Sequence, residues 1–445
     1  MLLQEARDLE AAGEDEAAKA AYVEVLRRDP AHYSALCALG TLALSTGYRA
    51  AAQTAYRQAV RLQPDNPVGR VNLGNLYYQN AELQRARAEY EAALRSDADF
   101  APAHQGLART LEQLGEVQGA RLHWQRGFVG HAVAPQRYRG AGPPLRVLLL
   151  ASTRLGNVAA TQFLDDRTFA VTIVYVDALT PEEPLPAHDV IFNAIGDAEL
   201  CAAALQQAQA LLHRSDRGVI NPPSRVLLTD RLHNAQRLGR IDAVIAPSIR
   251  RFESTAAEAL QELRFPLLLR APGFHMGRHF TRVEQRADLP AALASLPAGE
   301  LLAIEYLDAR GADAMARKYR VMFIDRQLYP LHLAVSRDWK VHYFSAAMAD
   351  SAPLREEERR FLEDMPAVLG ERAMQALTQV CRELDLDYAG IDFGLSADGS
   401  ILLFEANATM AILAPGPERI WDYRRAAVNA ALQAACRLVL RRAAV

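Results

Sequence analysis

The chain has 445 residues, a formal net charge of -3 and 50% hydrophobic residues, so it is too long for one typical domain and has ample material for several cores. The near-neutral charge excludes the global basic field that marks a nucleic-acid binder. Its cysteines, Cys37, Cys201, Cys381 and Cys436, are scattered without a C-x-x-C pair, which excludes a zinc knuckle or a disulfide framework. The N-terminus is acidic and amphipathic, unlike a signal peptide, and no apolar run approaches a membrane span. A cytoplasmic protein with no membrane and no nucleic-acid partner is expected.

The segments RRDPAHYSALCALG, RLQPDNPVGRVNLG and RSDADFAPAHQGLA recur with a 34-residue period. Gly40, Gly74 and Ala108 correspond, as do Tyr22, Tyr56, Tyr90 and Trp124, and as do Ala18, Ala52, Ala86 and Ala120. The pattern resembles the tetratricopeptide repeat, in which small residues let paired helices approach and the aromatic fills the space between neighbours. The resemblance implies an all-α solenoid over residues 1–128, with an N-terminal partial unit followed by complete ones. Its expected partner is a peptide or protein, with a homodimer as the alternative use of the same surface. Residues 129–144, rich in proline and glycine, read as a linker.

Residues 145–220 alternate strand-like runs (LRVLLLAS, VTIVYVDA, HDVIFNAI) with an alanine-rich helical run, which predicts a small parallel sheet. Arg154, Gly156 and Asn157 follow the carboxyl end of its first strand, where open α/β sheets place ligands. They read equally as an ordinary loop.

Residues 221–440 hold the remaining chemistry. NPPSRVLLTDRLHNAQRL is an asparagine-proline turn followed by a helix bearing Arg231. FPLLLRAPGFHMGRH is a strand ending at Arg270, then a loop with Gly273 and Gly277 that would let backbone approach a phosphate. His275 and His279 lie in this same loop rather than on a helix, and read as phosphate contacts or solvated side chains rather than a metal pair. LLAIEYLDARG and KYRVMFID are strands, the second placing Lys318 and Arg320 on one face. Lys340 follows, one of only three lysines beside 47 arginines. The run APLREEERRFLEDM reads as a solvated helix face.

The stretch YAGIDFGLSADGSILLFEANATM, from Tyr388 to Met410, is a hairpin signal, with Asp398-Gly399 between two apolar runs. A two-residue turn there faces Ala397 with Ser400 and, counting back, Asp392 with Glu405. Opposed like charges destabilise a sheet, so a cation is the natural compensation. Asn407, two residues on and on the same face, adds a carbonyl oxygen, and an all-oxygen set suits Mg²⁺, with Mn²⁺ as an alternative.

This hairpin resembles the closing motif of the ATP-grasp ligases, the group that includes D-alanine:D-alanine ligase, glutathione synthetase and the ribosomal-protein glutamate ligase. The resemblance implies an α/β pre-ATP-grasp domain over 145–220 and an α+β ATP-grasp domain over 221–440, with ATP as cofactor. It implies that Asp392, Glu405 and Asn407 hold the metal, that Arg231 is a basic ATP contact, and that Arg270 stands where lysine is usual, beside a Gly273/Gly277 loop over the triphosphate. Glu305 and the backbone of Tyr306 and Leu307 would read the adenine edge. Arg320 would hold phosphate, whereas Lys318 stands where an acid holds ribose, with Asp313 as a substitute for that acid. Lys340 would neutralise an acyl phosphate. The implied activity is ATP-dependent joining of a carboxylate to an amine through an acyl phosphate, on a peptide or protein presented by the repeats together with a small-molecule or amino-acid co-substrate. Phosphoryl transfer to a hydroxyl and a non-catalytic nucleotide-binding adaptor are the alternatives.

Overall fold

The computed structural model describes residues 1–180, 182–255, 264–273, 279–341, 346, 348–416 and 418–444. The chain divides into two compact units, one of Met1–Pro143 with Ala178–Glu183, the other of Pro144–Asp177 with Pro184–Val445. The first boundary falls inside the expected linker.

The first unit is helical: α1 (Leu2–Ala12), α2 (Asp15–Arg28), α3 (Tyr33–Ser45), α4 (Arg49–Leu62), α5 (Pro67–Gln79), α6 (Leu83–Ser96), α7 (Ala101–Leu114) and α8 (Val117–Phe128). The N-terminal unit expected to be partial is a full helix pair, α1 and α2. Sequence-local signals start and stop these helices. Asn66 accepts from the Val68 N–H and precedes Pro67, while Gly13 and Gly115 end α1 and α7 with left-handed backbone (φ 69° and 83°).

The repeated tyrosines explain the repeated glycines. A Cβ on Gly40 would come within 2.6 Å of the Tyr56 ring, and one on Gly74 or Gly106 within 2.8 or 2.3 Å of the Tyr90 ring. Each buried hydroxyl finds a polar partner on another helix: Tyr22 donates to Glu10, Tyr56 pairs with Thr41 at 3.0 Å, and Tyr90 donates to Asn75 at 2.7 Å.

The second unit opens with a parallel sheet of β1 (Leu145–Ala151), β2 (Phe169–Tyr175), β3 (Val190–Asn193) and β4 (Val219–Ile220), in the order β2-β1-β3-β4, with α9 (Ala202–Leu211) following β3. After β5 (Val244–Ile245) comes an antiparallel sheet of β6 (Ile249–Glu253), β7 (Leu267–Arg270), β8 (Phe280–Val283) and β9 (Glu300–Glu305), ordered β6-β9-β7-β8. A third sheet contains β10 (Ala316–Ile324), β11 (Gln327–Ser336), β12 (Tyr388–Leu395) and β13 (Ile401–Asn407), ordered β11-β10-β12-β13-β5. Helix α10 (Arg231–Leu238) lies between the first and second sheets in sequence. Helices α11 (Ala352–Glu363) and α12 (Met365–Leu384) precede the hairpin, and α13 (Asp422–Ala443) ends the chain.

The parallel sheet, expected as a separate domain, shares a core with the third sheet and α13. Val147, Phe163 and Phe192 cluster with Met322, Tyr388 and Val428. Asn221 fixes the junction. Buried and left-handed (φ 54°), it accepts from the backbone N–H groups of Asp387 and Tyr388, both at 2.9 Å, donates its side-chain amide to the Tyr388 carbonyl at 2.6 Å, and donates its own N–H to the Asp387 carboxylate at 3.0 Å.

Candidate active site

Asp392 and Glu405 do face each other as direct partners on β12 and β13, by a different route from the one counted in the sequence. The turn is a three-residue loop rather than a two-residue one. Ser396 pairs with Ser400, and Gly399 takes the left-handed position (φ 79°). That shifts the register by one residue. A bulge between Asp392 and Phe393, which leaves Phe404 as the extra residue on β13, shifts it back.

A cavity of about 590 Å³ lies over this hairpin, reaching β7, β9, β10 and β11. Its lining brings together Arg231, Arg270, Glu305, Tyr306, Leu307, Lys318, Arg320, Lys340, Asp392, Glu405 and Asn407. Gly273 lines a smaller adjoining pocket that shares Arg231, Arg270 and Glu405. Asp313 is not brought to the cavity lining; its carboxylate is held at 2.9 and 2.8 Å by Arg317, so the structure does not assemble the proposed substitute contact. Gly277 and His275 lie outside the described residues. Asn157 closes its own loop, accepting from the Ser152 N–H and donating to the Ser152 and Arg154 carbonyls, which is the ordinary-loop reading.

Ion pairs organise the floor. Arg320 holds Asp392 with parallel bonds, Nε to Oδ1 at 2.6 Å and a terminal nitrogen to Oδ2 at 2.8 Å, and Lys318 Nζ lies 3.1 Å from Oδ2. This follows from strand alternation, since Lys318 and Arg320 sit two apart on β10 and Arg320 is the direct partner of Asp392. Burial would raise the Asp392 carboxyl, but the Arg320 and Lys318 charges override it and hold it well below the usual carboxylate range. Glu405 accepts from Arg231 at 2.5 Å and from the Asn407 amide at 2.9 Å. Burial opposes its ionised form too, and Arg231 and Arg270 again prevail.

Further cations stand nearby. Burial, then repulsion from Arg231, pushes Arg270 down to about 10. Lys340 lies 3.5 Å from the Phe280 carbonyl and 5.9 Å from its ring, its pKa lowered by burial and by Arg270. In all, six cationic side chains line the cavity against three carboxylates, which suits a polyanionic ligand. The Glu305 carboxylate accepts from the Ser248 N–H at 3.0 Å, and Arg282 stacks on Tyr306 at 4.1 Å, so side-chain contacts fix both residues at this edge of the cavity.

The donor set fits magnesium only in part. Both Asp392 oxygens are engaged by cations, and the Asn407 carbonyl accepts from the Thr409 N–H and hydroxyl at 3.0 and 2.8 Å. Both hydrogen bonds to Glu405 from described residues go to Oε1, which leaves Oε2 for a ligand, and a single carboxylate together with ligand phosphates and water is a normal Mg²⁺ environment. Among the described residues no three His, Cys, Asp or Glu side chains are grouped to hold a metal.

Among the cavity-lining residues that sequence reasoning missed are His332, Trp421 and Arg424. His332 is the direct partner of Arg320 on β11, and burial, with Arg320 next, keeps it well below its ordinary pKa and hence neutral. Arg424 is buried on α13 and pairs at 3.3 Å with Glu358, which is fully buried and also accepts from Tyr423. Glu358 lies off the solvated face expected for APLREEERRFLEDM: with Phe361 and Leu362 it forms the inward stripe of α11.

Residues 43–109 match the tetratricopeptide repeat family. No curated protein matches the chain. Among solved structures the chain is similar to MamA, at 22% identity over 28% of this chain and 72% of that one, with a TM-score of 0.27. A tetratricopeptide repeat protein from Parabacteroides merdae is similar at 22% identity over 29% of this chain and 56% of that one, with a TM-score of 0.27. A RimK domain protein ATP-grasp from Sphaerobacter thermophilus is similar at 18% identity over 66% of this chain and 99% of that one, with a TM-score of 0.42. No helix among the described residues is long and apolar enough to cross a membrane. Residues 43–109, with the helix pairs that continue their spacing on either side, form a tetratricopeptide repeat array.

Proposed function

We propose that the second unit is an ATP-dependent carboxylate-amine ligase whose peptide or protein substrate is recruited by the repeat array. The observation that carries this reading is the convergence of Arg231, Arg270, Lys318, Arg320 and Lys340 around the opposed Asp392 and Glu405 in one cavity. Fixed cations of this kind compensate the charge that accumulates during phosphoryl transfer without reorganising at the moment of reaction.

In the proposed sequence a substrate carboxylate oxygen attacks the γ-phosphorus and the bond to the β-phosphate oxygen breaks, giving an acyl phosphate and ADP. An amine nitrogen then attacks the acyl carbon, the carbon–oxygen bond to phosphate breaks, phosphate leaves with the electron pair, and the nitrogen loses a proton to water. In this reading Arg270, Arg231, Arg320 and Lys318 hold the polyphosphate. Lys340, its proton affinity lowered, is a compact cation for the acyl phosphate. A divalent ion on Glu405 would neutralise further phosphate charge when bound. The β9 edge from Glu305 to Leu307 would receive the base.

Mass spectrometry of products after incubation with ATP and cell-extract peptides tests the reaction class. An amide product with ADP and phosphate released is expected. A product gaining only a phosphoryl group would establish a kinase instead, and nucleotide binding without turnover an adaptor.

A further inference from the structure

Asp392 is 3% exposed, and among the described residues every hydrogen-bond and ion-pair partner of its carboxylate is a cation of β10. Arg320 carries five N–H donors and Lys318 three, so the contacts to Asp392 leave both with donors over, in side chains that line the cavity. A divalent ion on Asp392 would have to displace these hydrogen bonds and then sit within a few ångströms of both cations, far inside the distance at which salt screens charge. The neutral His332, on the other side of Arg320, offers no competing counter-ion.

We propose that Lys318 and Arg320, pinned by Asp392, form a resident cationic clamp for a nucleotide phosphate, with Asp392 as their counter-ion rather than a metal ligand and Glu405 as the carboxylate for a single divalent ion. This inference rests on the nucleotide reading above. The clamp does part of what a second metal would do, and it does so without leaving the protein when metal is withdrawn. Lys318 is a positioned binding residue, which accounts for a lysine in a chain whose basic residues are otherwise almost all arginine.

The test is titration of ADP into the full chain by calorimetry, once in EDTA and once with Mn²⁺, with bound Mn²⁺ counted by electron paramagnetic resonance. The wild type is expected to bind ADP in EDTA and to take up one Mn²⁺ per chain with ADP present. Lys318→Met should weaken ADP binding in EDTA by about tenfold or more, the scale of a lost hydrogen bond to a charged group, in a chain that circular dichroism shows to be folded, since Arg320 still holds Asp392. ADP binding only when Mn²⁺ is present, two Mn²⁺ per chain of which Asp392→Asn removes one, or equal ADP affinity in wild type and Lys318→Met would each overturn the clamp while leaving the nucleotide reading intact. No ADP binding in either buffer would overturn the nucleotide reading itself, and the clamp with it.

Discussion

Arg320 and Asp392 are direct cross-strand partners joined by two parallel charge-assisted bonds of 2.6 and 2.8 Å, in a position where the carboxylate is almost wholly out of water. Breaking such a pair from one side is costly because it strands a buried charge. Arg320→Ala should destabilise the second unit by about 3–5 kcal/mol, whereas Arg320→Ala combined with Asp392→Ala should cost less than the sum. Chemical denaturation of the single and double variants checks both statements, and additive losses would mean that the two side chains do not act as a pair.

Acid sensitivity should come in stages whose sign is set by the groups involved. His332 has a lowered pKa in the folded protein, so below about pH 6.5, the ordinary value for histidine, the unfolded chain binds a proton that the folded one does not. Stability therefore falls as pH drops through that range, by up to about 1.4 kcal/mol per pH unit. Asp392, held low by its cations, contributes stability that is present above about pH 4 and is lost as pH falls further toward its folded value. Denaturation midpoints between neutral pH and pH 5 should flatten in His332→Gln; an unchanged slope would assign the effect to another group.

Glu405 has a separate role from Asp392 in this arrangement. Glu405→Gln removes the charge that fixes Arg231 and the oxygen left for a divalent ion. Weaker ADP binding in Mn²⁺ is expected, together with a loss of the Mn²⁺ signal, while binding in EDTA changes by less. Calorimetry with and without Mn²⁺ separates the two effects.

Glu358 and Arg424 make a second buried pair beside the cavity. Glu358→Ala leaves Arg424 without its carboxylate and should cost about 3–5 kcal/mol. Replacing the pair by Leu and Met should restore most of that loss. A thermal melt distinguishes the outcomes.

In the repeat array, the Cβ of Gly106→Ala would lie 2.3 Å from the Tyr90 ring. Overpacking of this kind costs about 1–3 kcal/mol, and Tyr90→Leu in the same chain should relieve part of it. Melting followed by circular dichroism would show the effect in the helical signal.

The sequence was most readable where a local rule repeats. The tetratricopeptide period, the small residues opposite Tyr56 and Tyr90, and the shared face of Lys318 and Arg320 all follow from spacing alone. The pairing of Asp392 with Glu405 was reached only because a three-residue turn and a bulge at Phe404 offset each other, and bulges leave no simple mark in a sequence. Arg424 was hidden by abundance, since 47 arginines make any one of them unremarked. Glu358 was hidden by its charged neighbours, although its spacing from Phe361 marks the inward side of α11. His332 did carry a signal, a lone ring nitrogen pair inside the apolar run LHLAV. Asp313 was drawn away by Arg317, a contact across a turn that composition does not reveal.

Asn221 has a consequence for how the molecule forms. Its bonds to Asp387 and Tyr388 span 166 and 167 residues of chain, so the foot of β12 cannot be anchored until nearly the whole second unit has been made and brought together. Contacts of such sequence separation are among the slowest to form, whereas the helix pairs of the repeat array close over short loops. During synthesis the array can fold while the cation-lined cavity does not yet exist, and a chain stopped before Asp387 would carry the repeats without that cavity.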